Sequence, residues 1–180
     1  MSNKKTYYLW GLFPPQEIEY LNFIRDKVQS KLSSPYFDLH ITLAGPFYNI
    51  NKNFISKMNS FGEKNSSILL HVDGYRFNQE MFKSFYISIR YSLDLQELRK
   101  NISVLTKFDF NNNYSPHISL CYGNHQIKEK KELISKLPKF NKLIRISKIA
   151  LVEISDDINQ WKIKESYDLN KNFLQNQNNF

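Results

Sequence analysis

Two stretches of the chain, "YFDLHITLAG" at 36–45 and "YSPHISLCYG" at 114–123, repeat one pattern. Each has an aromatic lead-in, a histidine, one apolar residue, a hydroxyl residue, a leucine and a later glycine. In an extended strand, successive side chains point to opposite faces. His40 and Thr42 therefore share one face, with Leu39, Ile41 and Leu43 on the other. The same alternation sets His117 and Ser119 against Ile118 and Leu120. A chain that carries both stretches has to cover one face of each strand. The other face must stay open for an imidazole and a hydroxyl.

The rest of the sequence supplies that cover. "TYYLWGLF" at 6–13 reads as a strand stopped by Pro14 and Pro15. Ile18, Leu21, Ile24, Val28 and Leu32 then recur at helical spacing until "SSP" breaks the pattern. A second strand is expected over 36–43, closed by Gly45 and Pro46, with a shorter helix after Asn53. "ILLHVDGYRF" and "SFYISIRY" read as two strands joined by a loop. "LDLQELRKNISVL" reads as a helix with Leu93, Leu95, Leu98 and Ile102 on one face. After the His117 strand come a charged short helix at 126–137 and a break at Pro138. Two final strands, "LIRISKIALVEI" and "QWKIKESYDL", complete the order.

Strands alternating with single helices predict an α+β protein with two antiparallel sheets and the helices outside. The twin motifs point to an internal duplication. A doubly wound nucleotide fold is disfavoured, because no Gly-rich loop follows a strand. Residues 1–170 are read as a single domain, and the Asn/Gln-rich segment 171–180 as a fraying tail.

Two imidazoles and two hydroxyls on open strand faces suit one kind of chemistry. At neutral pH one imidazole can accept a proton while the other donates one. Hydroxyls can donate hydrogen bonds to the non-bridging oxygens of a phosphate. Together the four groups could break a phosphodiester without a metal. Of the four histidines, His71 lacks a hydroxyl partner and His125 falls in a turn, so both are read as bystanders.

Other residues carry weaker signals. Trp10, Phe47, Tyr86 and Tyr122 are candidate platforms for a nucleobase, since aromatic faces stack bases with little sequence preference. Lys83 and Arg90 flank the "SFYISI" strand and could meet phosphate. Asp38 shares the parity of His40, although a surface aspartate is the simpler reading.

Composition narrows the partners. Across 180 residues the formal charge is +8, which favours an anionic ligand. Cys121 is the only cysteine, so neither an internal disulfide nor a Cys-based metal cage can form. No Asp/His/Cys cluster has ligand spacing, so neither metal nor cofactor is expected. The apolar run near the N-terminus is too short for a signal sequence or a membrane span. A cytoplasmic monomer without membrane contact is the expectation.

The motifs resemble those of the two-histidine phosphoesterases, a superfamily named for paired His-x-Thr/Ser sequences. Within it the chain is most similar to the cyclic phosphodiesterases, which open ADP-ribose 1″,2″-cyclic phosphate and nucleoside 2′,3′-cyclic phosphates. The likeness runs from "YLWGLFPP" to "WKIKESYDL" and is most specific at Pro116, His117, Ser119, Leu120 and Tyr122. It implies a bilobal fold with a pseudo-twofold axis and a central groove between the lobes. It also implies catalysis by His40 and His117, phosphate binding by Thr42 and Ser119, and substrate contact by Tyr122. By the same analogy His117 activates water and His40 protonates the departing ribose oxygen. Leu39 departs from the proline common before the first histidine. Alternation also places Tyr122 opposite His117, so a bulge or a strand end has to turn it inward. The expected partner is a small cyclic phosphate or an RNA end. Within the same superfamily the competing reading is an RNA-end or 2′,5′-oligoadenylate phosphodiesterase, and outside it an RNA- or nucleotide-binding module without turnover.

Overall fold

The aromatic run forms strand β1 (Thr6–Leu12), and the two prolines lead from it into helix α1 (Pro15–Gln29). Proline suits that first helical turn, where its missing N–H would lack an intrahelical partner anyway. The structure, a computed structural model, describes residues 5–48, 50–107, 113–140 and 143–170. The tail expected over 171–180 lies outside the described residues. Leu21, Ile24 and Val28 bury one face of α1, whereas Leu32 is buried just beyond its end.

Strand β2 (Ile41–Phe47) starts later than the sequence implied and runs through Gly45 and Pro46. The segment up to His40 is not ladder-paired. Gly45 is not a terminator. It adopts φ +132°, and a Cβ there would stand 2.5 Å from the Tyr8 ring, so only glycine fits this kink. Helix α2 (Lys52–Lys64) follows, with Asn51 accepting from the Phe54 amide at 2.9 Å as its cap. Strands β3 (Ile68–Phe77) and β4 (Phe85–Ile89) are joined through a 3₁₀ turn at Met81–Lys83.

Helix α3 (Leu93–Thr106), strand β5 (His117–Cys121) and helix α4 (Ile127–Lys136) come next. Leu95, Leu98 and Ile102 are buried on α3, but Leu93 is 82% exposed because it opens the first turn, beyond the packed face. One lysine of the charged α4 is not on its wet side. Lys130 is fully buried and donates to the Asn78 carbonyl at 2.7 Å. The run "LIRISKIALVEI" is two strands, β6 (Leu143–Ile146) and β7 (Lys148–Ile154), parted at Ser147, whose amide bonds the Leu12 carbonyl. Strand β8 (Lys162–Asp168) closes the order.

The expected two sheets are one antiparallel sheet of eight strands, ordered β6-β3-β4-β5-β2-β1-β7-β8. The physical reason is a single rung. Ile41 pairs with Ile118, and this contact between β2 and β5 joins two sets of four strands. The two motif strands are thus central neighbours.

The sheet is curled. Phe82 lies on the β3–β4 connection and Trp161 on the β7–β8 connection, yet their ring centroids are 6.2 Å apart. Four strand spacings separate β4 from β7, about 19 Å if the sheet were flat. One face packs under α1 and α3 through Leu9, Ile24, Ile41, Leu98 and Ile118. The other carries Trp10, Ala150 and Val152 and forms the wall of a groove. Among the described residues no helix is long and apolar enough to cross a membrane.

Candidate active site

Alternation along β1 sends Leu9 to the core and Trp10 to the groove. Across the β1–β2 ladder Trp10 pairs with Thr42. Across β4–β5, Tyr86 pairs with Ser119 and Ser88 with His117. His40, Thr42, His117 and Ser119 all line one groove of about 500 Å³.

Each imidazole is held in the same way. His40 Nδ1 lies 2.6 Å from the carbonyl of Asp38, and His117 Nδ1 lies 2.8 Å from the carbonyl of Ser115. Each ring thus donates Nδ1–H to the carbonyl two residues before it, which leaves the lone pair of the neutral ring on Nε2. The orienting group at Asp38 is its backbone. The carboxylate is exposed, as the simpler reading of the sequence had it.

The two rings differ in their surroundings. His40 is 7% exposed and lies flat against Trp10. Burial pushes its pKa down to about 4, opposed by the Asp38 carbonyl and helped slightly by the charge of His117. The charge of His117 is thus felt at His40, and both rings line the same groove. His117 is half-buried and stands edge-on to Tyr86 at 5.3 Å. Burial lowers its pKa as well. The Ser115 carbonyl opposes this shift, Lys83 adds to it, and Glu80 opposes it.

The hydroxyls also differ. Thr42 makes no side-chain hydrogen bond among the described residues and is open to the groove. Ser119 donates to the Phe82 carbonyl at 3.2 Å. Its single proton is therefore committed until a ligand competes for it.

Tyr122 faces the groove through the bulge that the strand pattern required. Tyr86 pairs with Ser119 and the next residue, Phe85, pairs with Cys121. Leu120 is the extra residue, so the alternation resets and Tyr122 turns inward. It stacks on Phe37 at 3.9 Å, and burial pushes its phenol pKa up, opposed by Ser119. β2 does the same: Trp10 pairs with Thr42, Leu9 pairs with Ala44, and Leu43 is extra. In both motifs the bulged residue is the leucine.

Trp10 is in the groove wall but is no open platform. It is 3% exposed, and the ring of His40 occupies one of its faces. Phe47 packs on Phe54 away from the groove, and Tyr86 backs His117. Accessible aromatics of the groove include Phe82, 51% exposed, and Trp161, whose rings lie 6.2 Å apart. Sequence reasoning passed over both. The available signals were a Met-Phe pair inside the polar loop "NQEMFKS" and a tryptophan at the head of the last hairpin strand.

Lys83 lines the groove and donates to Ser115 Oγ at 3.0 Å. Arg90 is exposed and does not line it. His71 sits exposed on β3. His125 bridges the Ser33 carbonyl and Ser84 Oγ as a structural pin. Among the described residues no group of three or more His, Cys, Asp or Glu side chains could hold a metal ion.

No family model and no curated protein matches the chain. Solved structures do. TT0787 of Thermus thermophilus is similar at a TM-score of 0.65 and 12% identity, over 93% of this chain and 99% of that one. E. coli LigT in apo form is similar at 0.63 and 14%, over 93% and 98%. A third, a phosphoesterase, is similar at 0.58 and 13%, over 94% and 100%. LigT is also known in complex with 3′-AMP and with phosphate. At these identities the likeness is one of fold.

Proposed function

We propose that the groove hydrolyses a cyclic phosphate, a nucleoside 2′,3′-cyclic phosphate or ADP-ribose 1″,2″-cyclic phosphate, by two-histidine acid–base catalysis without a metal. The observation that carries this reading is the pairing of geometry. Two imidazoles, each fixed through Nδ1 and each beside its own hydroxyl, border one groove. The fold shared with LigT and a phosphoesterase, and the binding of phosphate and 3′-AMP by LigT, support it. The matched placement of the motifs on β2 and β5 supports reading the halves as a duplicated, bilobal unit.

The environments favour a division of labour opposite to the one drawn by analogy. His40, kept neutral by burial against Trp10, is suited to accept a proton at Nε2 from the attacking water. His117 is less buried and is the easier of the two to protonate, with Lys83 opposing its charge and Glu80 favouring it less strongly. The water oxygen bonds to phosphorus and the P–O bond to one ribose oxygen breaks. That oxygen takes the proton from His117 Nε2. Thr42 and Lys83 hold the non-bridging oxygens, joined by Ser119 once it releases Phe82. Phe82 and Trp161 offer the surface for a base.

Groove charges help choose among substrates. Lys83 shares the groove lining with two carboxylate residues, Glu80 and Asp156. This balance favours a ligand whose charge is confined to one phosphate over a 2′,5′-oligoadenylate or a long RNA end.

A substrate panel with product analysis tests the proposal. The wild type should open a cyclic phosphate in the presence of EDTA. His40→Ala should lose turnover while keeping ligand affinity. Binding of every cyclic phosphate without opening any would make the protein a binding module instead.

A further inference from the structure

His40, immediately before β2, and His117, which opens β5, carry the acid–base chemistry, yet among the described residues only one register pair, Ile41 with Ile118, joins the two strands. The neighbouring ladders are longer: β1 meets β2 at four pairs and β4 meets β5 at four. Something else has to hold the central strands in register. The bulges indicate what does. Leu43 and Leu120 each stand three residues after their histidine, and each is the extra residue of its bulge. A bulged residue drops out of the regular ladder.

Both of these leucine carbonyls are taken up by a side chain from the other half of the chain. Arg99 of α3, the helix leading to β5, donates Nε–H to the Leu43 carbonyl of β2 at 2.9 Å. Gln29 of α1, the helix leading to β2, donates to the Leu120 carbonyl of β5 at 3.2 Å. Tyr114 completes the exchange. Three residues ahead of His117, it donates its phenol proton to the Thr42 carbonyl at 2.7 Å. The Arg99 guanidinium lies 3.5 Å above the Tyr114 ring. Burial pushes the Tyr114 phenol pKa up, so it stays a donor at working pH.

The geometry points to Tyr114 as a positioning residue that, braced by Arg99 and mirrored by Gln29, sets the distance between the His40–Thr42 pair and the His117–Ser119 pair. It touches no substrate. It acts through the Thr42 backbone, and this role rests on the phosphoesterase reading of the groove. A displacement on the scale of one ångström suffices to cost one to two orders of magnitude in rate.

The test is a double-mutant cycle between Tyr114→Phe and Thr42→Ala, read as affinity for inorganic phosphate by calorimetry and as kcat on a nucleoside cyclic phosphate. Tyr114→Phe alone should weaken phosphate about threefold to fivefold and lower kcat about tenfold, with KM moving less. On the Thr42→Ala background its penalty in phosphate affinity should shrink below about twofold, which a loss of stability alone would not produce. Equal penalties on both backgrounds, or a lowered Tm with affinity and kcat intact, overturn the inference. If Tyr114→Phe fails to fold, Gln29→Leu coupled with Ser119→Ala reads the mirrored brace by the same criterion. Phosphate binding without turnover of any cyclic phosphate would sink the enzymatic reading alone. Failure of the wild type to bind phosphate would sink both.

Discussion

The imidazole of His40 lies flat on the indole of Trp10, with ring centroids 3.5 Å apart and planes 7° from parallel. The stack excludes water from one side of the ring, and burial is the first cause of its lowered pKa. Trp10→Ala should return the His40 pKa toward its ordinary 6.5, a rise of about one to two units. Titration of the histidine ring protons by NMR checks this. An unchanged His40 would mean that the stack does not control its charge.

Removing either imidazole should cost rate without much loss of binding. His40→Ala and His117→Ala are each expected to lower kcat by roughly 10²–10⁴. The pH–rate profile separates their roles. If His40 is the base, its variant loses the limb on which activity rises with pH, and His117→Ala loses the limb on which activity falls. Loss of the same limb in both variants would defeat the assignment.

Folding stability should respond to pH through His40. Its pKa is about 4 folded and ordinarily 6.5 unfolded, so between those values the unfolded chain binds the extra proton. The contribution is fully present above pH 6.5 and is lost as pH falls toward 4, on the order of 3 kcal/mol in all. Denaturant unfolding of wild type and His40→Gln across this window measures it. Parallel curves for the two would show that another group governs acid unfolding.

The hydroxyls should not be equivalent. Thr42 is uncommitted, whereas Ser119 must give up its bond to the Phe82 carbonyl before it can donate to phosphate. Exchanging one hydrogen bond for another returns little net free energy, roughly 1 kcal/mol or less. Thr42→Val should therefore weaken phosphate more than Ser119→Ala, by about threefold or more. Calorimetric titration would expose a reversed order.

Lys83 adds to the lowering of the His117 pKa and lines the same groove. Lys83→Met should raise that pKa and weaken phosphate binding, and both effects should fade at high salt because the site is open. NMR titration at two ionic strengths measures the first effect, and phosphate titration the second.

Much of the fold was legible because it rests on local rules. The i, i+2 parity of β2 and β5 put Ile41, Leu43, Ile118 and Leu120 in the core, and all four are buried. Helical spacing located α1 and α3. The parity rule also exposed its own limit at Tyr122, which required a bulge, and the bulge lies at Leu120. Less legible were features that depend on partners distant in sequence. Nothing local distinguishes a Gly45–Pro46 that ends a strand from one that kinks within it. The break at Ser147 is likewise invisible until β6 pairs with β3 and β7 with β1. Two expected sheets became one through a single rung whose partners are far apart in the chain.

At the site, sequence alone determined which side chains leave the core, because alternation along a strand needs no knowledge of its neighbours. Tertiary structure decided how those side chains behave. It laid Trp10 against His40 instead of leaving it open to a base, and it tied Ser119 to Phe82. It also brought Phe82 and Trp161 together from opposite halves of a curled sheet. Burial, pairing and proton affinity depend on what surrounds a group in space, and only the curled sheet supplies those surroundings.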